Sequence, residues 1–298
     1  MTTSILTVML AISAAQPQED YVVKSNANLV LLDVSVTGAG GVPVAGLSRD
    51  RFSVSEDGKK QIIKQFSAAD TPVSMGFVLD MSGSMQHKVG GVQRAVNAFL
   101  AASNPDDEYF LIGFNDRPKF GLDPAARPFT RDRNAIRSAM YGMKAAGKTS
   151  LYDGLGSALE HIGKSKFERR FLILVSDGRD TASEMTLQDI VFEVRTHPVT
   201  VFTIGLFTDE DPDRNSGVLK RLAKVTGGRY FNPITAEDIE AACLAIAKDI
   251  RARYTLAYTP PESGKPGVRK IHVDLTRVPS EPRLAVRART EYQVETTN

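Results

Sequence analysis

Three short segments of the sequence carry oxygen-bearing side chains of the kind that could bind a cation. The segment LDMSGSM at 79–85 combines one carboxylate with two hydroxyl groups, and GKTSLYDG at 147–154 adds a third hydroxyl. The segment SDG at 176–178 adds a second carboxylate. Hard divalent cations prefer oxygen ligands, and Mg²⁺ usually keeps some water as well. We therefore predict a site for one divalent ion, Mg²⁺ or else Mn²⁺ or Ca²⁺, at Asp80, Ser82, Ser84, Thr149 and Asp177.

Each of these segments lies at the edge of a predicted strand or helix. The apolar runs at 75–79 and 170–176 are typical of strands buried on both faces, and they lead into the first and third segments. The second segment precedes a predicted helix at 152–163. In an open α/β sheet, ligands bind at the carboxyl ends of the strands. We therefore expect the three segments to meet at one edge of a sheet.

The region that must position them, residues 72–253, alternates short apolar runs with helical stripes. This alternation predicts a doubly wound, mostly parallel α/β sheet covered by helices on both faces. The predicted helices lie at 89–103, 132–143, 152–163, 187–195, 218–225 and 236–253. The predicted strands lie at 75–79, 109–114, 170–176, 199–206 and 228–231.

Both flanks of this region, 27–70 and 254–294, have the two-residue period of strands. Asp57-Gly58 is a hairpin signal between strands predicted at 52–56 and 61–66. Each flank alone supplies too few strands for a stable sheet. We therefore predict that the flanks pair into one small β-sandwich-like domain, into which the α/β region is inserted.

The N-terminus and the overall composition bear on location and on partners. Residues 1–15 resemble a secretory signal peptide without a basic start, and 16–26 form a polar leader, so we predict an exported protein. No later stretch approaches the roughly 20 apolar residues that span a membrane. The net charge of +2 and the absence of a dense basic stripe argue against nucleic acid as a partner.

The spacing of the candidate ligands resembles that of a known family. The DxSxS, GxTxLYDG and SDG segments look like the metal-ion-dependent adhesion site of von Willebrand factor type A domains. That resemblance implies that the serines and the threonine bind the metal directly, while the aspartates act largely through water. It also implies an open position for an Asp or Glu carboxylate of a protein partner. The chain as a whole resembles a bacterial subgroup best known from acidobacterial genomes.

Two other functions remain open at this point. The site could stabilise loops in a structural or scaffold protein. Alternatively, Asp80 could be the nucleophile of a Mg²⁺-dependent phosphohydrolase. Such enzymes require a second aspartate two residues after the nucleophile, and this chain has Ser82 at that position. No His, Lys or Cys is clearly placed as a base or nucleophile, so we predict a binding module and not an enzyme.

Several polar residues near these segments have simpler interpretations. Asp153 is either a ligand or an acidic residue in the first turn of a helix, and we expect the second, which the helix dipole favours. Asp180 lies close to Asp177 in the sequence and could border the site, but we expect it in a solvated turn. Asn115 and Asp116 end a predicted strand on the same side as the site, either as loop residues or as partner contacts. The acidic run at 209–213 is expected to be solvated.

Overall fold

A computed structural model of the chain describes residues 29–207, 216–261 and 266–295. The predicted signal peptide, the polar leader and the acidic run at 209–213 lie outside the described residues, so they stay predictions. The α-helices are α1 Val89–Ala102, α2 Arg133–Tyr141, α3 Leu151–Ile162, α4 Leu187–Thr196, α5 Ser216–Thr226 and α6 Ala236–Arg251. The strands are β1 Val30–Thr37, β2 Phe52–Glu56, β3 Lys59–Gln61, β4 Ile63–Ser67, β5 Ser74–Asp80, β6 Glu108–Phe114, β7 Pro118–Phe120, β8 Arg170–Ser176, β9 Thr200–Gly205, β10 Tyr230–Phe231, β11 Tyr254–Tyr258, β12 Gly267–Leu275, β13 Ala285–Arg287 and β14 Glu291–Val294.

The α/β unit is a six-stranded sheet in the order β10-β9-β8-β5-β6-β7. All neighbouring strands run parallel except β7, which pairs antiparallel with β6. One apolar cluster packs α1, α2 and α6 against one face, and a second packs α3, α4 and α5 against the other. The predicted doubly wound, mostly parallel fold is confirmed. Strand β7 was not predicted, because it has only three residues and begins with a proline.

The local sequence explains where several helices start and which face they bury. Helix α1 buries Val92, Val96 and Phe99, the apolar stripe that its spacing predicts. Helices α4 and α6 each begin with a capping box, in which a threonine and the acidic residue three positions later satisfy each other's backbone N–H groups.

The two flanks interleave in two four-stranded sheets, ordered β13-β1-β11-β4 and β14-β12-β2-β3. Each sheet contains strands from both flanks, and one hydrophobic cluster contains residues from both sheets. The prediction of a β-sandwich-like unit carrying an inserted α/β unit is confirmed. The strand predicted at 61–66 is wrong in one respect. It divides at Ile62, which is 71% exposed, and β3 and β4 join different sheets.

An ion-paired contact, here called the arginine seam, joins the flanks to the amino ends of the parallel strands. It consists of Asp33, Arg169, Asp249, Arg253 and Arg287. Arg169 Nε lies 3.0 Å from Asp33 Oδ1, and Arg253 Nε lies 3.1 Å from Asp249 Oδ1. Arg287 of β13 contacts the other oxygen of Asp249 at 2.9 Å. Arg253 is 1% exposed, so its charge depends on these partners.

A second arginine from the flank, Arg289, reaches the carboxyl end of α4. Its guanidinium donates to the carbonyls of Val194, Arg195, His197 and Val199. Burial lowers its pKa to about 10. Carbonyl oxygens at a helix C-terminus carry partial negative charge and favour a cation. This contact fixes the β13–β14 connection to the α/β unit.

No helix within the described residues combines the length and the apolarity that a membrane span requires.

Candidate metal centre

The DMSGSM loop folds back on the end of β5. The backbone N–H of Ser82 donates to Asp80 Oδ1 at 2.9 Å, which turns the chain directly after the strand. A single 3₁₀ turn at 83–85 follows. Gly83 N–H donates to the Gly147 carbonyl at 3.1 Å, which ties this loop to the next one. As a result, the hydroxyl oxygens of Ser82 and Ser84 lie 3.0 Å apart.

The parallel pairing of β5 with β8 brings Asp177 to the same place. Leu79 lies opposite Val175, so both strands end at the same edge of the sheet. Ser84 Oγ donates to Asp177 Oδ2 at 2.6 Å. Asp80 and Asp177 are 1% and 0% exposed, whereas Ser84 is exposed. The oxygen cluster is therefore buried on its inner side and open to solvent on the side of Ser84.

Thr149 lies between the two other loops. Its backbone is held by hydrogen bonds on both sides of the peptide. The N–H donates to Thr181 Oγ1 at 3.0 Å, and the carbonyl accepts from the N–H groups of Thr181 and Ala182. Gly147 has φ +81°, a conformation that glycine adopts easily, and a Cβ there would lie 2.4 Å from the Asp116 carboxylate. Asp116 Oδ1 also accepts from Lys148 N–H at 3.1 Å. Asp116 therefore shapes the loop that carries Thr149.

The interpretation of Asp180 as a solvated turn residue is wrong. Its Oδ1 accepts from the N–H groups of Leu151 and Tyr152 at 2.9 and 3.4 Å. Ser150, the residue before α3, makes no side-chain cap of its own. Unpaired N–H groups at a helix start need acceptors, and here a distant loop supplies one. Local sequence could not indicate this, because the cap lies 29 residues from the helix start.

Asp153 does lie in the first turn of α3, as expected, but it has a further role. Its two carboxylate oxygens accept from Glu184 and Met185 N–H, each at 2.9 Å. Asp153 and Asp180 thus join the Thr149 loop and the Asp177 loop in both directions. Among the described residues, no hydrogen bond joins Asp153 or Asp180 to the carboxylates or hydroxyl groups of the oxygen cluster.

Ser176 also supports the cluster and was not predicted. Its hydroxyl donates to Asp80 Oδ2 at 2.7 Å and accepts from Gly178 N–H at 3.0 Å. The sequence marks Ser176 only as the last residue of an apolar run. With Ser82 N–H on the other oxygen, both oxygens of Asp80 have a hydrogen-bond donor.

The cluster contains two acidic residues, Asp80 and Asp177. Burial raises the pKa of Asp80 to about 6, and the negative charge of Asp177 acts in the same direction, while hydrogen bonds from Ser82 and Ser176 oppose it. Within the part of the chain that the structure describes, no Lys, Arg or His forms an ion pair with Asp80 or Asp177. Bringing a cation close would offset this buried negative charge.

The donor set fits a hard cation. It consists of hydroxyl and carboxylate oxygens, the ligands that Mg²⁺ and Ca²⁺ prefer, with no nitrogen or sulfur donor. No group of three or more His, Cys, Asp or Glu residues is placed to hold a metal among the described ranges. This agrees with a site in which hydroxyl groups outnumber carboxylates.

The sequence has recognisable relatives. Residues 75–179 match the family model described as von Willebrand factor type A domain, and all the predicted ligands lie in that stretch. Human inter-alpha-trypsin inhibitor heavy chain H4 is 27% identical over 168 residues, covering 53% of this chain and 18% of that protein. An uncharacterized protein of Synechocystis sp. is 28% identical over 163 residues, covering 53% of this chain and 36% of its own length. The match thus spans well under half of these relatives.

Solved structures show the same fold. A von Willebrand factor type A protein from Catenulispora acidiphila superposes with a TM-score of 0.54 at 12% identity, covering 91% of this chain and 74% of that one. Proximal thread matrix protein 1 from the mussel byssus, solved with a zinc-occupied metal-ion-dependent adhesion site, superposes with a TM-score of 0.51 at 15% identity. That match covers 65% of this chain and 49% of the other. Residues 75–179 therefore match the von Willebrand factor type A domain model and the structure has that fold, while the resemblance of the whole chain to the acidobacterial subgroup stays a prediction.

Proposed function

We propose that the von Willebrand factor type A domain of this chain is a metal-dependent protein-binding module. In this proposal Ser82, Ser84 and Thr149 bind one divalent ion, preferentially Mg²⁺, directly, and Asp80 and Asp177 act largely through water. A partner's Asp or Glu carboxylate takes the remaining position. Domains of this type are typically interaction modules, and they commonly bind a divalent metal at this motif.

The observation that carries the proposal is a pair of buried carboxylates with which no Lys, Arg or His of the described residues forms an ion pair. Asp80 and Asp177 are both buried, and hydroxyl groups are the only side chains that hydrogen-bond to them among the described residues. Burying ionised carboxylates without compensation is costly. A bound divalent ion would remove that cost, and in this proposal its direct protein ligands are neutral hydroxyl groups.

The open side of the cluster supports a role in binding. Ser84 is exposed while Ser82 and Thr149 are 1% and 4% exposed, so the cluster faces solvent in one direction only. A bound ion, when present, would supply positive charge at that opening. An acidic side chain of a partner suits such a position, because carboxylates are preferred ligands of hard cations.

The first test is metal binding. Isothermal titration of the metal-free protein with Mg²⁺, Mn²⁺, Ca²⁺ and Zn²⁺ should give one site, and each bound ion should raise the melting temperature. In Asp80→Asn both signals should be strongly reduced. Asp106→Asn is a matched control, since Asp106 is an exposed carboxylate in the loop before β6, at the other end of the sheet. Equal metal binding by the Asp80 variant would contradict the proposal.

The second test is carboxylate-dependent recognition. A phage-displayed library of random peptides is selected on the Mg²⁺-loaded protein and eluted with EDTA. The proposal expects an Asp or Glu in every enriched peptide and no retention by Asp80→Asn. If metal raises the melting temperature but no peptide depends on it, the ion stabilises the loops, as in a scaffold protein, and the binding proposal is wrong.

A further inference from the structure

A cavity of about 470 Å³ borders the DMSGSM loop, which lines it through Met81. It is enclosed by the DMSGSM loop, the β6–β7 hairpin, the end of α2 and the chain that follows α2. Its volume is within the range of about 300–1,000 Å³ that is usual for ligand sites. The lining residues on which the argument depends are Met81, Gly113, Asn115, Lys119, Met143 and Lys144.

Two segments of the chain contribute both to the cavity lining and to the candidate metal centre. Met81, which lines the cavity, lies between Asp80 and Ser82 in the sequence. The chain that starts at Met143 in the cavity continues to Thr149, and on the way Ala146 N–H donates to the Met81 carbonyl at 2.9 Å. The cavity wall therefore consists partly of the same two loops that carry the candidate metal ligands.

The floor of the cavity is apolar and adaptable. A Cβ at Gly113 would lie 2.7 Å from Met143 Sδ, and one at Gly121 would lie 3.1 Å from Met143 Cε. Met143 therefore lies across both glycines, and Met81 lies beside it, with Cγ 3.1 Å from the same Cβ position on Gly113. Methionine side chains are flexible and polarizable, and they accommodate apolar groups of different shapes.

The rim of the cavity is basic. Lys119 and Lys144 line it and are both exposed. Neither has a carboxylate within ion-pair distance in the described portion of the chain. Asn115, on the same side, adds an amide that can donate or accept. This positive rim next to a site that takes a carboxylate is complementary to an acidic segment.

We propose that the cavity and its two lysines select the partner sequence, and that the partner presents an extended acidic–apolar–acidic segment. This inference rests on the proposed function. The first acidic residue completes the metal centre, and a Met or Leu two positions later enters the cavity, because side chains at i and i+2 of an extended chain share a face. An acidic residue following it contacts Lys119 and Lys144.

The probes are fluorescent synthetic peptides whose affinity is measured by anisotropy in Mg²⁺ and in EDTA. The parent peptide is GDGMEEG, and two relatives replace its methionine by serine or its two glutamates by glutamines. We expect about tenfold weaker binding without the methionine, as burial of such a side chain implies. We expect up to about fivefold weaker binding without the glutamates, and less in high salt, because rim ion pairs are weak and screened.

The protein variants test the same contacts from the other side. Lys119→Glu combined with Lys144→Glu should weaken the parent peptide but not the glutamine peptide. Ser138 lies on the exposed side of α2 that faces the cavity. Ser138→Phe should therefore lower the affinity for the parent peptide until it is close to the affinity for the serine peptide. Lys60→Glu is the control, since Lys60 is an exposed lysine of β3 in the flanking sheet and should change nothing. Melting temperature and Mg²⁺ titration establish that each variant is folded and binds metal.

The outcomes separate this inference from the function on which it rests. If all acidic peptides bind equally, in a manner that needs Mg²⁺ and Asp80, the cavity inference is wrong and the metal-dependent function stands. If none of the acidic peptides binds the metal-loaded protein, or binding persists in EDTA and in Asp80→Asn, the proposed function is contradicted and the inference falls with it.

Discussion

Buried carboxylates have charged partners at one end of the parallel sheet and neutral partners at the other. At the amino ends of the strands, in the arginine seam, Asp249 lies between Arg253 and Arg287, at 3.1 and 2.9 Å. Burial acts to raise the pKa of Asp249, but the two arginines together hold it below its usual value. At the carboxyl ends, burial raises the pKa of Asp80, and only hydroxyl and backbone N–H groups oppose it.

This difference separates a structural contact from the proposed binding site. The seam carries its own countercharges, and planar guanidinium groups hold carboxylates in a fixed geometry. It needs nothing from solution, and it joins the flanking sheets to the α/β unit. The oxygen cluster carries negative charge without a countercharge among the described residues, and for that reason we propose that it binds a cation.

Two other buried carboxylates show what makes the cluster distinct. Glu56 accepts from the hydroxyls of Tyr258 and Tyr292, and Glu108 accepts from Ser74 and Ser165. Each is a single carboxylate surrounded by neutral donors. The metal centre instead places two carboxylates close enough for the charge of Asp177 to raise the pKa of Asp80. Two like charges in one buried site are what a divalent cation compensates best.

The largest effect is expected at the seam. Asp249→Asn leaves Arg253 and Arg287 without their carboxylate, and Arg253 is almost fully buried. Removing one partner of a buried ion pair typically costs about 3–5 kcal/mol. We expect the free energy of unfolding to fall by that amount in urea denaturation, both in Mg²⁺ and in EDTA. A decrease in the free energy of unfolding that appears only in Mg²⁺ would contradict the distinction between the two ends of the sheet.

The same substitution at the other end should have the opposite sign in metal-free protein. Asp80→Asn removes one of two neighbouring negative charges, so the free energy of unfolding in EDTA should stay the same or rise. Metal affinity should fall by about 10–100-fold, the usual cost of losing an outer partner of a metal site. Urea denaturation in EDTA and titration with Mn²⁺ measure the two effects. Destabilisation of the metal-free variant comparable to that of Asp249→Asn would contradict the comparison.

A smaller effect is expected from the residue that caps α3. Asp180→Ala removes an acceptor from Leu151 and Tyr152 N–H, and loss of a helix cap costs about 1 kcal/mol. Because α3 directly follows Thr149, metal affinity should fall severalfold as well. Asp132→Ala is the matched control, since Asp132 caps α2 through Asn134 and Ala135 N–H at the end away from the site. Equal loss of metal affinity in both variants would show that Asp180 has no special role.

The sequence predicted the elements of the fold well because these depend on local pattern, while the candidate ligands stay a prediction. The run at 75–79 and the spacing of Asp80, Ser82 and Ser84 can be read without knowing the fold. The supporting contacts could not, since Ser176 and Asp180 act on residues 96 and 29 positions away. The change of sheet at Ile62 was missed for a related reason. An alternating pattern indicates a strand but does not identify its partner, and β3 and β4 pair with different strands.

The smallest effect concerns a buried histidine on the α3 side of the sheet. His161 is 2% exposed, with ring centroids of Phe110, Phe120 and Phe129 at 4.7, 4.9 and 5.0 Å. Burial lowers its pKa, and the nearby Lys164 adds to this, while a hydrogen bond to the Pro128 carbonyl and the charge of Glu160 oppose it. In the unfolded chain His161 has its ordinary pKa of about 6.5 and is protonated below that pH, whereas in the folded chain it is protonated only at lower pH. Stability should fall as pH decreases through that value.

This slope is best measured in the Asp80→Asn background without metal, because Asp80 contributes a slope of the opposite sign. The pKa of Asp80 is raised in the folded state, so its contribution to stability is present when it is protonated at low pH and is lost as pH rises through about 6. Urea denaturation from about pH 5 to about pH 8 should show a slope that His161→Gln removes and His272→Gln, at an exposed position, retains. An unchanged slope in His161→Gln would mean that burial of His161 contributes nothing to the pH dependence of the metal-free protein.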